Sequence, residues 1–330
     1  MNTARISAAP VAASTVAPED RDPRRPMKLV ACLAAVYLIW GSSFVFTKIA
    51  VTHLPLALYA AIRFLTAGTV LSLVARFAQG QAWPRRAADW RHACVAGFFM
   101  VFLSNGLNGW ALETIPTNES ALLNGTAAFW IAGLGVWGPR GHPLSRRAVG
   151  GLVVGFLGTA LMLIPDGAWR AASLLAELGV LAACLAFSVG TLYYRNAEVH
   201  IGSLMFMGMQ LGMGGLMLLA VALVRGDAAR WTFDPQGILA LTYLTFASSC
   251  LTFAAYGWLT RHTTPAVIGS YSYVNPAIAA YLGWQFMGEN LSRLQLLGML
   301  IIIIGVAVLT LPGGGFSAAS PPPRSARATR

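Results

Sequence analysis

One arginine, Arg63, interrupts a largely apolar stretch of this chain. A charge inside hydrocarbon costs about 2.5–3.5 kcal/mol on insertion scales, so its presence needs a physical reason. Two interpretations are open: Arg63 binds the carboxylate of a substrate, or it forms a fixed ion pair between helices. With Lys48, Glu113 and Glu119 it would form a charged outer gate, although snorkelling to the membrane interface also explains Lys48.

A second candidate is the pair Asn275-Pro276, with Tyr271 and Tyr273 close by. A proline inside a helix removes one hydrogen bond and clashes with the carbonyl four residues earlier, so we expect a break that frees backbone acceptors. Freed carbonyls and polar side chains make up midplane binding sites in transporters. A packing kink, with Asn275 bonded to a neighbouring helix, is the alternative.

The remaining candidates are polar and aromatic side chains inside apolar runs. Asn105 and Asn108 are three residues apart and share a helix face. Trp40, three residues before Ser43, serves either a binding cavity or helix packing. The predicted substrate-binding residues are Trp40, Ser43, Arg63, Asn105, Asn108, Tyr271, Tyr273, Asn275 and Pro276. Other buried amides and hydroxyls are expected to bond neighbouring helices, at roughly 0.6 kcal/mol each: Asn124, Gln210, Ser248 and Ser249.

No motif indicates catalysis, a cofactor or a metal site. The four cysteines all fall within apolar runs and show no CxxC spacing. The chain also has no HExxH, GxSxG or P-loop pattern, and no pair of carboxylates in the middle of a span. We therefore predict no catalytic residue, no cofactor and no metal, and an intramembrane enzyme is a less favoured alternative.

The elements that position these residues must lie in lipid. Of 330 residues, 56% are hydrophobic and 11% charged, whereas soluble domains carry about 25% charged residues. Ten apolar runs of about 20 residues are long enough to cross a ~30 Å hydrocarbon layer, and lipid forces such runs to be helical. The spans lie near residues 28–51, 55–77, 92–112, 118–138, 145–164, 174–194, 202–224, 236–259, 265–286 and 292–311. The predicted fold class is an all-α polytopic membrane protein with ten transmembrane helices, flanked by disordered tails at residues 1–27 and 312–330.

The second half of the chain repeats the first. Gly109-Trp110 matches Gly257-Trp258 at an offset of 148, and Leu144-Ser145-Arg146 matches Leu291-Ser292-Arg293 at 147. Because five helices per repeat is an odd number, the second repeat must enter the membrane inverted, as in transporters that rock one half against the other. The predicted repeats are residues 28–164 and 174–311.

Glycines are expected to join these halves. Gly151, Gly155 and Gly158 form a small-residue stripe on the fifth span, and Gly298 and Gly305 form a sparser one on the tenth. Such stripes let helix backbones approach closely. Gly208 and Gly212 could act in the same way on the seventh span.

Basic residues give the orientation. One side of the predicted topology carries 17 lysines and arginines in its loops and tails, and the other side carries four. The positive-inside rule then places both termini in the cytosol, with the protein in the cell (inner) membrane. The net charge of +11 follows this topology and does not indicate nucleic-acid binding.

Four sets of residues resemble the EamA-type permeases of the drug/metabolite transporter superfamily. They are Tyr37–Phe44, Leu54-Pro55 with Ala60–Phe64, Pro265–Pro276, and Glu289 with Gly298 and Gly305. The resemblance covers about residues 28–311. It implies a ten-helix, two-repeat exporter or facilitator of small metabolites, such as amino acids, with a central cavity.

Two positions depart from that family's pattern. Ala128 stands where the fourth helix of the family carries a proline matching Pro276, so we expect helix four to be less broken than helix nine. The first span also lacks the buried glutamate of the small drug antiporters, which argues against proton-coupled export of cationic drugs.

The sequence therefore predicts a secondary transporter of small polar metabolites that works by alternating access. A drug or other organic-solute efflux carrier is the alternative, and a channel is less favoured because it would use a symmetric oligomeric filter. The expected partners are a small-molecule substrate and the lipid bilayer, and a monomer suffices. Coupling to protons or ions is an open alternative, through Glu113, Glu119 or Glu177.

Overall fold

The described part of the chain is helical. A computed structural model describes residues 25–136, 146–162, 171–263, 268–269, 271–289 and 292–310, and none of these residues lies in a strand. Both predicted tails lie outside the described residues, apart from Arg25 to Met27, which begin the first helix.

Six helical stretches in the described ranges are long and apolar enough to cross a membrane. They are Pro26–His53, Leu56–Ala78, Ala87–Thr114, Ser173–Asn196, Ser203–Val224 and Pro235–His262. The all-α membrane fold is confirmed over these residues. The other four predicted spans are shorter or interrupted where they are described, so the count of ten stays a prediction.

The helices are bounded as follows: α1 Arg25–His53, α2 Leu56–Leu73, α3 Ala87–Gly97, α4 Ser104–Thr114, α5 Thr117–Asn124, α6 Ala127–Leu134, α7 Arg146–Met162, α8 Ala171–Asn196, α9 Ser203–Val224, α10 Pro235–Tyr243, α11 Thr252–His262, α12 Tyr271–Met287 and α13 Arg293–Thr310. Wider π-helical turns occur at Val74–Ala78, Phe98–Leu103 and Leu244–Leu251. The second of these joins α3 to α4, and the third joins α10 to α11. At the offset of 148, Phe98–Leu103 falls within Leu244–Leu251, so both repeats carry this irregularity at the same place.

The fourth span is broken where the sequence led us to expect the more regular helix. α5 ends at Asn124 and α6 begins at Ala127, whereas α12 passes through Pro276 without interruption. Our expectation was therefore wrong. Replacing a proline with Ala128 does not protect the helix, because the break comes earlier, at Gly125 and Thr126. Glycine favours helices poorly, and the Thr126 hydroxyl donates to the carbonyl of Leu123 at 2.7 Å.

A lysine caps the end of α4. Lys48 Nζ on α1 donates to the carbonyl oxygens of Leu112 at 2.5 Å and Ile115 at 3.1 Å. The last carbonyls of a helix have no partner within the helix, and the helix dipole favours a cation there. Lys48 therefore has a structural role that neither snorkelling nor a gate describes.

The second repeat contains the same cap. Arg195 on α8 donates to the carbonyl oxygens of Thr260 at 3.3 Å and Thr263 at 2.9 Å, at the end of α11. At offsets of 147 and 148 residues, donor and acceptors all correspond to those of the Lys48 cap. A duplicated unit explains two caps with matching spacing.

Glycines hold helices of the two repeats together, as predicted. On the seam between α7 and α13, a Cβ added to Gly305 would lie 2.7 Å from the backbone nitrogen of Gly155, and one added to Gly158 would lie 2.9 Å from the carbonyl oxygen of Gly298. The α2–α9 seam is equally close, since a Cβ on Gly68 would lie 2.6 Å from the nitrogen of Gly212. Side chains cannot fit at these points, so the backbones pack directly.

Candidate functional site

A cavity of about 100 Å³ lies between the two repeats. One water needs about 10–15 Å³ measured in this way, so the space holds several waters or a small organic molecule. Eight of the nine predicted site residues line it: Trp40, Ser43, Arg63, Asn105, Asn108, Tyr271, Asn275 and Pro276. The ninth, Tyr273, belongs to α12, and its side chain lies outside the described structure. The geometry brings these residues together, and their role in substrate binding stays a prediction.

Arg63 is held by hydroxyl groups. It projects from α2, its side chain is 5% exposed, and it donates through Nε to Ser249 Oγ at 2.8 Å and through Nη2 to Ser248 Oγ at 3.1 Å. Its guanidinium also lies 4.6 Å from the centre of the Phe64 ring. Within the described ranges no carboxylate pairs with Arg63, so the fixed ion pair is not found there.

The serines reach Arg63 from an irregular segment. Ser248 and Ser249 lie on the π-helical turn Leu244–Leu251, where the helix is wider than an α-helix and its side chains point in altered directions. The Ser248 carbonyl accepts a hydrogen bond from Trp40 Nε1 at 3.2 Å. π-Helical turns occur frequently at functional sites. The segment therefore links Arg63, on one side, to the aromatic residues around Trp40.

Trp40 is surrounded by other aromatic rings. Its ring centre lies 5.8 Å from Phe187, 5.5 Å from Phe253, 4.9 Å from Tyr256 and 5.4 Å from Tyr271. These rings come from α8, α11 and α12, so Trp40 packs α1 against the second repeat. It also lines the cavity, and both interpretations of this residue therefore fit the geometry.

Amides form a second polar group. Asn105 Nδ2 donates to the carbonyl of Met100 at 2.8 Å, in the first repeat's π-helical turn. Asn108 Oδ1 accepts from Ser120 Oγ at 2.9 Å and from Asn124 Nδ2 at 3.1 Å. Asn105, Asn108 and Asn124 all line the cavity, so they form an amide wall next to Arg63.

The Asn275-Pro276 pair does not form the predicted break. Asn275, with its amide oriented to satisfy both atoms, donates to the carbonyl oxygens of Tyr37 at 3.0 Å and Tyr271 at 3.2 Å. The bond to Tyr37 on α1 matches the alternative interpretation, in which Asn275 bonds a neighbouring helix. Such contacts support the backbone near a proline, so α12 stays continuous. Ser43 is likewise engaged locally, since its hydroxyl donates to the Trp40 carbonyl at 2.7 Å.

Sequence reasoning missed several lining residues. Ser248 was expected only to bond a neighbouring helix, and Phe187 and Phe253 were not considered, yet all three line the cavity. The repeat contained the missing signal for two of them. At offsets of 147 and 148, Phe187 corresponds to Trp40 and Phe253 to Asn105, whereas Ser248 corresponds to Met100, which was not a predicted residue.

A model of the EamA-like transporter family matches residues 27–164 and, again, residues 174–311. The chain belongs to the EamA-like transporter family. The resemblance noted in the sequence is thereby confirmed, and the protein is a membrane transporter with the two-repeat EamA architecture. The two EamA matches begin 147 residues apart, which is the spacing of Lys48 and Arg195.

Curated relatives are transporters by name, and a solved structure shares the fold. The chain is 26% identical over 290 residues to the "Uncharacterized inner membrane transporter YedA" of Escherichia coli (strain K12), covering 87% of this chain and 92% of that protein. It is 25% identical over 282 residues to an "Uncharacterized transporter" of Archaeoglobus fulgidus, covering 84% and 96%. A crystal structure with 18% identity aligns over 86% of this chain and 97% of its own, with a TM-score of 0.64, and supports the fold.

A carboxylate of the second repeat also bonds the first repeat at the start of α5. Glu289, from the second repeat, accepts hydrogen bonds from the backbone amides of Thr117 at 2.7 Å and Asn118 at 3.0 Å, and so caps the start of α5. Glu119 and Glu177 lie close enough to influence each other electrostatically. The described hydrogen bonds and ion pairs of Arg63 include none of these groups or Lys48, and the outer gate stays a prediction.

Proposed function

We propose that this EamA-like protein is a secondary transporter, an exporter or facilitator, of small polar metabolites such as amino acids. The observation that carries the proposal is the cavity, because residues of both repeats line it and it holds a buried cation together with four asparagines. Buried polar groups at membrane depth mark solute pathways. Alternating access around this cavity is the mechanism that a two-repeat architecture favours.

The proposal includes ten helices, inverted repeats and cytosolic termini. An inverted second repeat would place the Lys48 cap and the Arg195 cap near opposite faces of the membrane. The excess of lysines and arginines, 17 against four, supports cytosolic termini. The proposal also takes a single chain as the working unit.

Flux through purified protein tests the proposal. The full-length protein is reconstituted into lipid vesicles, and counterflow of a panel of labelled amino acids and other polar metabolites is measured with and without an uncoupler. We expect flux that saturates with concentration, because a carrier has one site per cycle. Flux that rises linearly would indicate a channel, and chemical alteration of the solute would indicate an enzyme.

A drug or organic-solute carrier is the second candidate, favoured by the aromatic rings of Trp40, Phe187 and Phe253 in the cavity wall. Expression in drug-sensitive cells distinguishes the two. Increased resistance to apolar drugs, together with no flux of polar metabolites, would support this second candidate.

Proton coupling through Glu119 and Glu177 predicts that the uncoupler reduces flux, and the Glu177→Gln variant should then be insensitive to it.

A further inference from the structure

We infer that the cavity binds an organic anion through Arg63 and Ser248, in preference to a zwitterion of the same size. The inference rests on the proposed function and narrows its substrate class to small organic acids without an ammonium group. Three features of the cavity support it: its net charge, its hydrogen-bond donors and its aromatic wall.

The charge of the cavity is not balanced. Arg63 is the one charged side chain among the described residues that line it, and its hydrogen-bond partners are neutral hydroxyls. Holding a cation away from water without an anion is costly. A ligand of charge −1 would make the site neutral. An amino acid brings an ammonium together with its carboxylate, so the total would stay at +1.

The donors around Arg63 suit a carboxylate. A serine hydroxyl that accepts a hydrogen bond still has its own proton to donate. Ser248, which lines the cavity, can therefore donate to the same carboxylate as the guanidinium, and bonds of this charge-assisted type are stronger than neutral ones. Ser249 holds the guanidinium through Nε and acts as a positioning residue.

The remaining wall favours an organic body over an inorganic ion. Trp40, Phe187 and Phe253 contribute aromatic surface to the cavity, and Asn105 and Asn108 contribute amides. A chloride ion would satisfy Arg63 but would leave the rings in contact with water. The carbon skeleton of an organic acid would cover them.

Matched ligand pairs test this inference. Lactate is compared with alanine, and 3-phenyllactate with phenylalanine, because each pair differs only by a hydroxyl in place of an ammonium. Dissociation constants are measured by calorimetry on the full-length protein in lipid nanodiscs, and chloride is titrated separately. We expect at least one hydroxy acid to bind about tenfold more tightly than its amino partner.

Variants then assign the preference to the site. Arg63→Gln should abolish the difference within a pair, Arg63→Lys should retain part of it, and Arg76→Gln, which removes an arginine outside the described lining, should retain all of it. If Arg63→Gln does not fold, the wild-type pairs and Ser248→Ala decide, since Ser248→Ala removes a donor to the carboxylate and should weaken the binding of the hydroxy acids.

Four results would overturn the inference: equal or tighter binding of the amino acids, a preference that survives Arg63→Gln, no binding of either hydroxy acid, or Arg63-dependent chloride binding that the acids do not displace. Saturable amino-acid flux without a charge preference would overturn the inference and leave the proposed function standing. Absence of saturable flux for every solute would overturn the proposed function itself.

Discussion

Arg63 and Gln210 occupy corresponding positions in the two repeats, 147 residues apart, but their surroundings differ. Arg63 lines the cavity, and two serine hydroxyls accept its hydrogen bonds. Gln210 is completely buried, its Nε2 lies 3.3 Å from the sulfur of Met207, and its Oε1 has no hydrogen-bond partner among the described residues. Duplication supplied both positions, and only one of them became part of a cavity.

The positions that correspond to the hydrogen-bond partners of Arg63 are also less polar. Ser248 and Ser249 correspond to Met100 and Val101 at the offset of 148. The arginine and its two serines are therefore replaced, at the corresponding positions, by an uncharged amide and two apolar side chains, although a π-helical turn and the helix caps agree. The shared features build the scaffold, and the proposed chemistry lies where the copies diverge.

Replacing Arg63 with Gln makes the two positions alike and should have the largest effect. We expect flux to fall on the order of a hundredfold, because losing a buried charge that contacts substrate costs several kcal/mol. Vesicle flux and the yield of folded protein are measured together, with Arg76→Gln as the control. Intact flux with a lowered yield would show that Arg63 is structural.

Removing the two helix caps tests the feature that the repeats share. Lys48→Met and Arg195→Met should each lower the free energy of unfolding by about 2 kcal/mol, since each leaves two helix-end carbonyls without a charged donor. Unfolding in mixed detergent micelles measures both. Markedly unequal losses would contradict the structural equivalence of the caps.

Ser249→Ala tests how Arg63 is positioned. The variant keeps the charge but removes the acceptor for Nε, so the concentration for half-maximal flux should rise about fivefold with little change in the maximal rate. Ser188→Ala is the matched control, because Ser188 is also buried but bonds the carbonyl of Cys184 on its own helix. A purely structural serine would lower the yield and leave that concentration unchanged.

The smallest effect is expected at Gln210. Gln210→Leu removes a buried oxygen without a described partner, so the free energy of unfolding should rise by roughly 1 kcal/mol and flux should not change. The same unfolding and flux assays apply. A loss of flux would show that the Gln210 position also takes part in transport, as Arg63 is proposed to do.

Much of the cavity could be predicted from the sequence because burying a polar group in lipid is costly. Arg63, Asn105 and Asn108 stood out for that reason, and each of them lines the cavity. The repeat could be detected because Gly109-Trp110 and other short matches recur at a nearly constant offset of 147 or 148 residues. Both arguments depend only on residue type and position.

The remainder depended on packing, which the sequence does not display. Serines in apolar helices usually bond carbonyls, so nothing in the sequence pointed to Ser248 and Ser249 as partners of Arg63. Proline breaks helices more strongly than glycine does, so sequence reasoning placed the break at Pro276 and not at Gly125. The contact of Asn275 with α1 was only one of two open interpretations. These outcomes depend on neighbouring helices that are distant in sequence.

In the alternating-access cycle that we propose, the twin caps leave the relative energies of the two openings unchanged. Lys48 and α4 belong to one repeat, and Arg195 and α11 belong to the other, so each cap would move together with its own half. Bonds that persist in both conformations add nothing to the difference between them. The populations of the two conformations are then set by bonds that join one half to the other. The Glu289 carboxylate, in the second repeat, accepts two such bonds from backbone amides at the start of α5, so it would favour the conformation described here.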